Sequence, residues 1–293
     1  MINPTIVKLL KEKRPNITES SVKTYECILR NLYKKVFGPI EWNEQTINDN
    51  PDKILEFLKT KPANIRKTIL SALVVITSNP LYRIQMIDDI KEYNKEQAKQ
   101  EKPPANKWVD KTEINETYTP LKKIATLLYK KKNKTPTDYQ DIQNYIILSL
   151  FNGEYIPPRR SKDYVNFKIE NINTATDNYM TKNKFVFNSY KTAKTYGQQE
   201  VEIPKSLKAI INKWIKINPT EYLLFDISFN PLSSVKLTQR LNKLFDKNVS
   251  VNSLRKSFMS SRYNNLIDIK QDMNKDFKMM GSSALQEHIY IKK

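Results

Sequence analysis

The sequence predicts a mainly α-helical protein with a small antiparallel β-sheet, divided into two domains. Apolar residues recur at helical spacing through most of the chain, as Ile28, Leu29 and Leu32 do. The spacing changes to a strand-like alternation only within residues 164–204. A polar, charged stretch that ends in Lys-Pro-Pro-Ala-Asn lies between two regular regions. Because proline restricts its neighbours to extended backbone, this stretch predicts a linker.

Residues 1–93 predict an N-terminal domain of short amphipathic helices. We expect helices over residues 5–13, 20–37, 51–58, 63–78 and 80–93. Gly38-Pro39 ends the second helix, because proline cannot continue it. Cations such as Lys23 and Arg30 follow the polar faces. These charges suit contact with DNA, and taken singly they suit a solvated helix surface equally well.

The predicted linker covers residues 94–107, and a second domain covers residues 108–293. We expect helices over residues 112–132, 137–151, 205–217 and 233–245, and strands over residues 164–169, 184–189 and 199–204. The last two strands enclose a hairpin tip over residues 190–197. The pattern therefore predicts an α-rich domain that contains a small antiparallel sheet.

The composition limits the partner and the kind of site. The chain contains 50 Lys and Arg against 31 Asp and Glu, a net charge of +19, which favours a nucleic-acid partner. The single cysteine, Cys27, excludes an internal disulfide and a Cys-rich metal site, and its apolar helix face predicts burial. The single histidine, His288, excludes a His-cluster zinc site. With four glycines there is no phosphate-cradling loop, which argues against ATP as a cofactor. We expect no metal and no cofactor.

The N-terminus and the apolar runs predict an intracellular protein without membrane contact. The start Met-Ile-Asn-Pro lacks the charged and then apolar layout of a signal peptide. The apolar runs at residues 69–76 and 145–150 are too short to span a bilayer.

The chemistry-bearing residues lie mainly in the last forty positions. Asn252 is a candidate N-cap for a helix that carries Arg255. A later helix ends at Gly281, and a short final helix carries Tyr290. Upstream, the segment Pro-Pro-Arg-Arg contributes Arg160. Arginines from distant segments together with a C-terminal tyrosine suit attack on a phosphodiester, since guanidinium groups bind its oxygens and a phenol can be the nucleophile.

This arrangement resembles the tyrosine recombinases, the integrase family. Arg160 followed three residues later by Asp163 matches the first arginine of that family and its acidic neighbour. Asn252-Ser-Leu-Arg255 aligns with the family's His-x-x-Arg, and Met279-Met-Gly281 aligns with Leu-Gly-His, nine residues before Tyr290. The Pro-Pro-x-Arg and Asn-x-Leu-Arg motifs are most similar to the versions found in large DNA viruses and virophages. The resemblance covers residues 110–290 well and the first third by general layout.

The resemblance implies a helical, SAM-like core-binding domain that clamps duplex DNA together with an α+β catalytic domain. It implies that Arg160 and Arg255 bind the scissile phosphate and that Tyr290 forms a 3′-phosphotyrosine. Lys191 in the hairpin would protonate the leaving 5′-oxygen, with Lys194 as its alternative. The family acts as a tetramer on paired sites, so self-association is implied, as is a DNA-associated location in the cytoplasm or nucleus.

Supporting positions are also implied, and some depart from the family. Asp163 would hold Arg160 in position, and Arg159 is the alternative first arginine. Asn252 stands where the family has His, and Ser282, next to Gly281, stands near a second family His. Lys256 is a further possible phosphate donor.

Two other functions remain open from the sequence. A type IB topoisomerase would share the arginines, the lysine and the tyrosine but would relax DNA as a monomer. The two replaced histidines favour a different alternative, a DNA-binding descendant without catalytic activity.

Overall fold

The structure is a computed structural model that describes residues 2–77, 79–99 and 101–280. The chain forms two compact units, Met1–Glu101 and Lys102–Lys293. Residues 94–98, which the sequence assigns to the linker, belong to the last helix of the first unit. The segment after Glu101 is tied to the second unit, because the Asn106 carbonyl accepts a hydrogen bond from the Asn248 amide at 2.8 Å.

The first unit is helical in its described part, as predicted. Its helices are α1 (Pro4–Lys13), α2 (Glu19–Phe37), α3 (Glu44–Asp49), α4 (Pro51–Lys59), α5 (Ala63–Ile76) and α6 (Pro80–Ala98). Side-chain caps begin several of them; Thr18 accepts from the backbone of Ser21 at the start of α2. The six-residue α3 was not predicted, because one and a half turns carry too little periodicity to detect.

The core of the first unit comes from the apolar faces of these helices. Leu29, Leu73 and Tyr82 are fully buried, and the Tyr82 hydroxyl donates to the carbonyl of Ile47 at 2.7 Å. That bond joins α6 to α3 and satisfies the one polar atom of a buried ring. Cys27, expected in the core, is exposed instead. Its helix is rotated so that its neighbours face the core and the thiol faces solvent.

The second unit combines helices with one small sheet. Its helices are α7 (Lys111–Lys130), α8 (Pro136–Phe151), α9 (Ser161–Val165), α10 (Ala193–Tyr196), α11 (Lys205–Ile215), α12 (Ser234–Phe245), α13 (Val251–Arg262) and α14 (Leu266–Met279). Its strands are β1 (Tyr179–Met180), β2 (Lys184–Phe187) and β3 (Gln199–Glu202), in the order β1-β2-β3 and all antiparallel. The predicted fold class, mainly α with a small antiparallel sheet, is confirmed.

One predicted strand is wrong. Residues 164–169 were expected to form a strand, and they instead end the short helix α9 and continue as a loop. Tyr164 and Phe167 are both fully buried, so the apolar alternation reflects packing of a helix end and not a pleated strand. The third strand of the sheet is β1, whose two residues are too few for a sequence pattern.

An aromatic cluster fixes the elements around which the site is built. The Tyr164 ring meets Phe151, Phe185 and Phe187 edge-on, at centroid distances of 5.4, 5.8 and 5.5 Å. These contacts join α9 to α8 and to strand β2. On α13, Leu254 is fully buried in the same core. The start of α9, the hairpin and α13 are therefore parts of one packed body.

Among the described residues, no helix combines the length and the apolar character needed to cross a lipid bilayer.

Candidate active site

The arginine pair lies where the chain turns from α8 into α9. Pro157 and Pro158 precede Arg159, and Arg160 is the N-cap residue of α9 with extended backbone (φ −71°, ψ 154°). Proline restricts its predecessor to extended backbone, so the chain enters this turn extended, and α9 begins at Ser161. This local geometry places both guanidinium groups at one end of α9.

Arg159 is a fixed part of the structure. Its Nε donates to Asp163 Oδ2 at 2.8 Å, and its Nη1 donates to Gln199 Oε1 at 3.0 Å. Its guanidinium carbon lies 3.9 Å from the ring centre of Phe187. Arg159 thus joins the start of α9 to strands β2 and β3 of the hairpin.

The acidic partner therefore differs from the expectation. Asp163 was expected to hold Arg160, and the structure pairs it with Arg159, four residues earlier. Both side chains are largely buried, 17% and 2% exposed, and Arg159 is held there by its contacts with Gln199 and Phe187 of the hairpin. Asp163 Oδ1 has no hydrogen-bond partner within the described part of the chain.

Arg255 reaches the same place from α13. Its helix begins with a capping box between Ser250 and Ser253, in which the Ser250 amide donates to Ser253 Oγ at 3.2 Å. Asn252, expected as the N-cap, lies inside the helix and is exposed. The buried residues Val251 and Leu254 hold the helix against the core and set the direction of Arg255.

The three arginines share one open cavity of about 500 Å³. Arg159, Arg160, Arg255 and Asp163 line it together with Tyr196. Within the described residues, neither Arg160 nor Arg255 is in a salt bridge. Three guanidinium groups beside a single carboxylate give the cavity an excess of positive charge.

The pKa values of the cavity follow from burial and from this charge excess. Burial raises the pKa of Asp163, and the attraction of Arg159, Arg160 and Arg255 opposes the rise. Burial, followed by repulsion from Arg160, lowers the pKa of Arg255. An anion in the cavity would relieve that repulsion, so the arrangement suits an oxyanion or phosphodiester ligand.

The hairpin lysines are not in the arginine cavity. Lys191 lines a neighbouring cavity of about 450 Å³ together with Lys162 and Ser233. Lys194 lies on α10 at the hairpin tip and is exposed. Tyr190 lines both cavities and separates them, with its hydroxyl bound to the Gly197 carbonyl at 2.6 Å.

The remaining predicted residues are divided between the surface and the undescribed C-terminus. Lys256 is exposed on α13. Tyr290 and Ser282 lie outside the described residues. Sequence reasoning missed Gln199, Tyr190 and Tyr196, which belong to the hairpin it had located. No sequence signal marks them, because their role depends on how the hairpin packs against α9.

In the part of the chain that the structure describes, no three His, Cys, Asp or Glu side chains are grouped so that they could hold a metal ion.

Comparisons with known proteins give a likeness of fold. No protein family model matches the sequence, and no curated protein matches it. The chain is similar to the crystal structure of XerA recombinase, with 12% identity, a TM-score of 0.37, and coverage of 89% of this chain and 84% of that chain. It is also similar to the crystal structure of a lambda integrase dimer bound to a COC′ core site, with 11% identity, a TM-score of 0.47, and coverage of 89% and 88%.

Proposed function

We propose that this protein is a site-specific DNA recombinase or integrase that cleaves and rejoins DNA through a 3′-phosphotyrosine. The observation that carries the proposal is the meeting of Arg160 and Arg255 on one cavity, although they are 95 residues apart in the sequence. Neither has a salt-bridge partner among the described residues, so both keep donors for the non-bridging oxygens of a phosphodiester.

In the proposed cleavage step, the Tyr290 oxygen attacks the phosphorus of the scissile phosphodiester. A bond forms between the phenolic oxygen and phosphorus as the bond from phosphorus to the 5′-oxygen breaks. The tyrosine proton passes to solvent, and the leaving oxygen takes a proton from Lys191, or from Lys194 in the alternative assignment. The phosphotyrosine keeps the ester linkage, so rejoining by the reverse attack requires no nucleotide.

The proposed supporting roles of Arg159 and Asp163 rest on their contacts, and those of Asn252, Lys256 and Ser282 rest on the family resemblance. Arg159 and Asp163 hold the hairpin against α9 and keep Arg160 at its mouth. Asn252, Lys256 and Ser282 would add hydrogen bonds to phosphate oxygens. Because Lys191 lines the neighbouring cavity, we propose that the hairpin tip, residues 190–197, shifts when DNA binds and brings the ammonium group to the leaving oxygen.

The proposed partner is duplex DNA, which the net charge of +19 supports through attraction of the phosphate backbone. We propose that the protein assembles as a tetramer on paired sites and acts on DNA inside the cell. The Pro-Pro-x-Arg and Asn-x-Leu-Arg sequence motifs support an origin among the recombinases of large DNA viruses and virophages.

A nicked suicide duplex tests the proposal, because loss of the short fragment beyond the nick traps the covalent intermediate. Wild-type protein should give an adduct that survives denaturation. Tyr290→Phe removes one oxygen and almost no volume, so it should bind the duplex normally and give no adduct. Tyr263→Phe is the matched control, since Tyr263 is exposed at the end of α13 and should leave adduct yield unchanged.

Three outcomes would replace the proposal. Tight binding by wild-type protein without any adduct would identify a DNA-binding protein without catalytic activity. An adduct that persists in Tyr290→Phe and is lost in Tyr263→Phe would move the nucleophile. Adduct formation by a monomer, with relaxation of supercoiled DNA that lacks paired sites, would identify a topoisomerase.

A further inference from the structure

A second cavity of the same unit, about 250 Å³ in volume, has an unusual set of polar groups. It lies where the start of α7, the end of α8 and the C-terminal half of α13 meet. Its polar lining comes from Lys111, Asn152, Ser257, Ser261 and Arg262. Among the described residues its lining contains no Asp or Glu, and the two charged side chains that line it, Lys111 and Arg262, are both positive.

Asn152 carries a buried hydrogen-bond donor for which no described residue supplies an acceptor. It is the C-cap residue of α8, and its side chain is 9% exposed. Its Oδ1 accepts from the Glu154 amide at 2.9 Å, which fixes the orientation of the side-chain amide. The Nδ2 atom is buried and has no hydrogen-bond partner among the described residues. Native structures rarely leave such a donor unsatisfied, so this one is free to bind an acceptor that enters the cavity.

The cavity is formed by close packing and not by a loose loop. Gly153 follows Asn152 with φ +74°, a conformation that disfavours other residues. A β-carbon at position 153 would also collide with the ring of Phe258 on α13. The glycine therefore lets the end of α8 approach α13 closely, and this contact brings Asn152 beside Ser257, whose side chain is buried.

The cations of the cavity are available for a ligand. Lys111 is the first residue of α7 and is exposed. The guanidinium of Arg262 lies 5.7 Å from the ring centre of Phe258 and 5.8 Å from that of Tyr263. Within the described residues, neither Lys111 nor Arg262 is in a salt bridge. An amide donor, hydroxyl groups and two unpaired cations together suit an anion with several acceptor oxygens.

We infer that this cavity is a second oxyanion site, which binds a phosphate group outside the arginine cavity. The same chemistry could be supplied by inorganic phosphate or by a phosphate of the DNA backbone. The backbone assignment rests on the proposed function. It is supported by α13, which carries Arg255 to the first cavity and Arg262 to the second, about 10 Å further along the helix axis. DNA lying along α13 would contact both.

The test observes Asn152 directly in the full-length protein. The side-chain amide resonances of Asn152, identified by their loss in Asn152→Ser, are followed in ¹⁵N NMR spectra during titration with inorganic phosphate. The titration is done in an Arg160→Gln/Arg255→Gln background, so that binding in the first cavity does not contribute. The inferred site predicts a saturable shift of these resonances.

The variants at the cavity mouth separate a bound phosphate from a general salt effect. Lys111→Gln and Arg262→Gln should each weaken the phosphate affinity measured at Asn152 about tenfold, because each removes a charged donor. Lys205→Gln is the matched control, since Lys205 is also exposed at the first residue of a helix, α11. It should leave the titration unchanged. All three are surface changes, and the spectrum itself reports whether each variant is folded.

Phosphate that leaves the Asn152 resonances unmoved, or that moves them equally in all variants, would overturn the site and indicate that water satisfies the amide. A second titration uses a short duplex in place of inorganic phosphate. A shift with phosphate but not with duplex would overturn the backbone assignment and leave free phosphate as the ligand. Wild-type protein that shows the shift but forms no covalent adduct on the nicked duplex would remove the proposed function and leave the oxyanion site standing.

Discussion

Two buried aspartates, one in each unit, have opposite surroundings. In the first unit, Asp89 on α6 accepts from Arg66 Nη2 at 2.6 Å and from Arg66 Nε at 2.9 Å. Arg66 also donates to Glu92 at 2.7 Å, so one arginine faces two carboxylates. In the second unit, Asp163 lines a cavity with three arginines, and no other carboxylate of the described residues lines it.

The difference in charge ratio separates a structural ion pair from the candidate binding site. Hydrogen bonding to Asp89 raises the pKa of Arg66, so its charged form is stabilised inside the protein. Burial and then repulsion from Arg160 lower the pKa of Arg255. The first arrangement is complete without a ligand. The second is destabilised by its own excess charge, and an anion would stabilise it.

The same contrast extends to the whole units. Residues 1–101 contain 17 Lys and Arg against 13 Asp and Glu, a net of +4. Residues 102–293 contain 33 against 18, a net of +15. The sequence suggested a DNA clamp in the first unit, and the charge that attracts a phosphate backbone is concentrated in the second.

The largest effect should come from removing an unpaired arginine of the cavity. Arg255→Gln should lower adduct yield on the nicked duplex about a hundredfold, because it removes a donor to the charge that develops on the phosphate. Arg83→Gln, in the first unit, is the control: Arg83 is exposed, and no salt bridge involves it within the described residues. Equal losses in the two variants would contradict a special role for the cavity.

For folding stability the order should be reversed, with the larger effect at Arg66 of the first unit and the smaller at Arg255. Arg66→Ala should destabilise the first unit by about 3 kcal/mol, because it leaves the buried Asp89 charge unpaired. Arg255→Gln should change stability by less than about 0.5 kcal/mol, since it removes a charge that is repelled by its neighbours. Hydrogen exchange of α5 and α6 in the full-length protein measures the first effect locally. Unaltered exchange there in Arg66→Ala would show that Asp89 is stabilised by other groups.

A smaller effect should follow from loosening the hairpin. Gln199→Ala removes the hydrogen bond between β3 and Arg159 while leaving the Asp163 pair intact. We expect adduct yield to fall roughly fivefold with DNA affinity unchanged, because positioning is impaired and charge is not. Gln271→Ala, which changes an exposed glutamine on α14 outside the hairpin, should have no effect on yield. A loss of affinity equal to the loss of yield would mean that Gln199 contacts DNA.

The smallest effect concerns pH. Because burial raises the pKa of Asp163, its protonation begins above the ordinary aspartate value of about 3.9. Protonation of Asp163 removes the negative charge beside three arginines. The affinity of this cavity for a phosphate group should therefore rise a few-fold as pH falls toward about 4. Asp163→Asn is neutral at every pH and should lack this rise. An identical pH profile in that variant would assign the titration to another group.

Most of the secondary structure was predictable from the amino-acid sequence. The predicted helix over residues 20–37 is α2 (Glu19–Phe37), and the predicted helix over residues 233–245 is α12 (Ser234–Phe245). The two hairpin strands were located within two residues. Such elements depend on caps and on apolar spacing over three or four neighbours, which the sequence contains directly. The strand predicted over residues 164–169 is wrong because the apolar residues at and after the end of α9 alternate with polar ones as in a strand.

The contacts between the site residues could be learned only from the folded structure. The sequence identified Arg160 and Arg255 as candidate phosphate ligands, and in the structure both line one cavity. It could not determine that Asp163 binds Arg159 or that Lys191 faces a different cavity. Partners of this kind are set by distances between segments far apart in the chain. If the hairpin packed against α9 one residue out of register, these side chains would have other partners. The local sequence pattern would be the same.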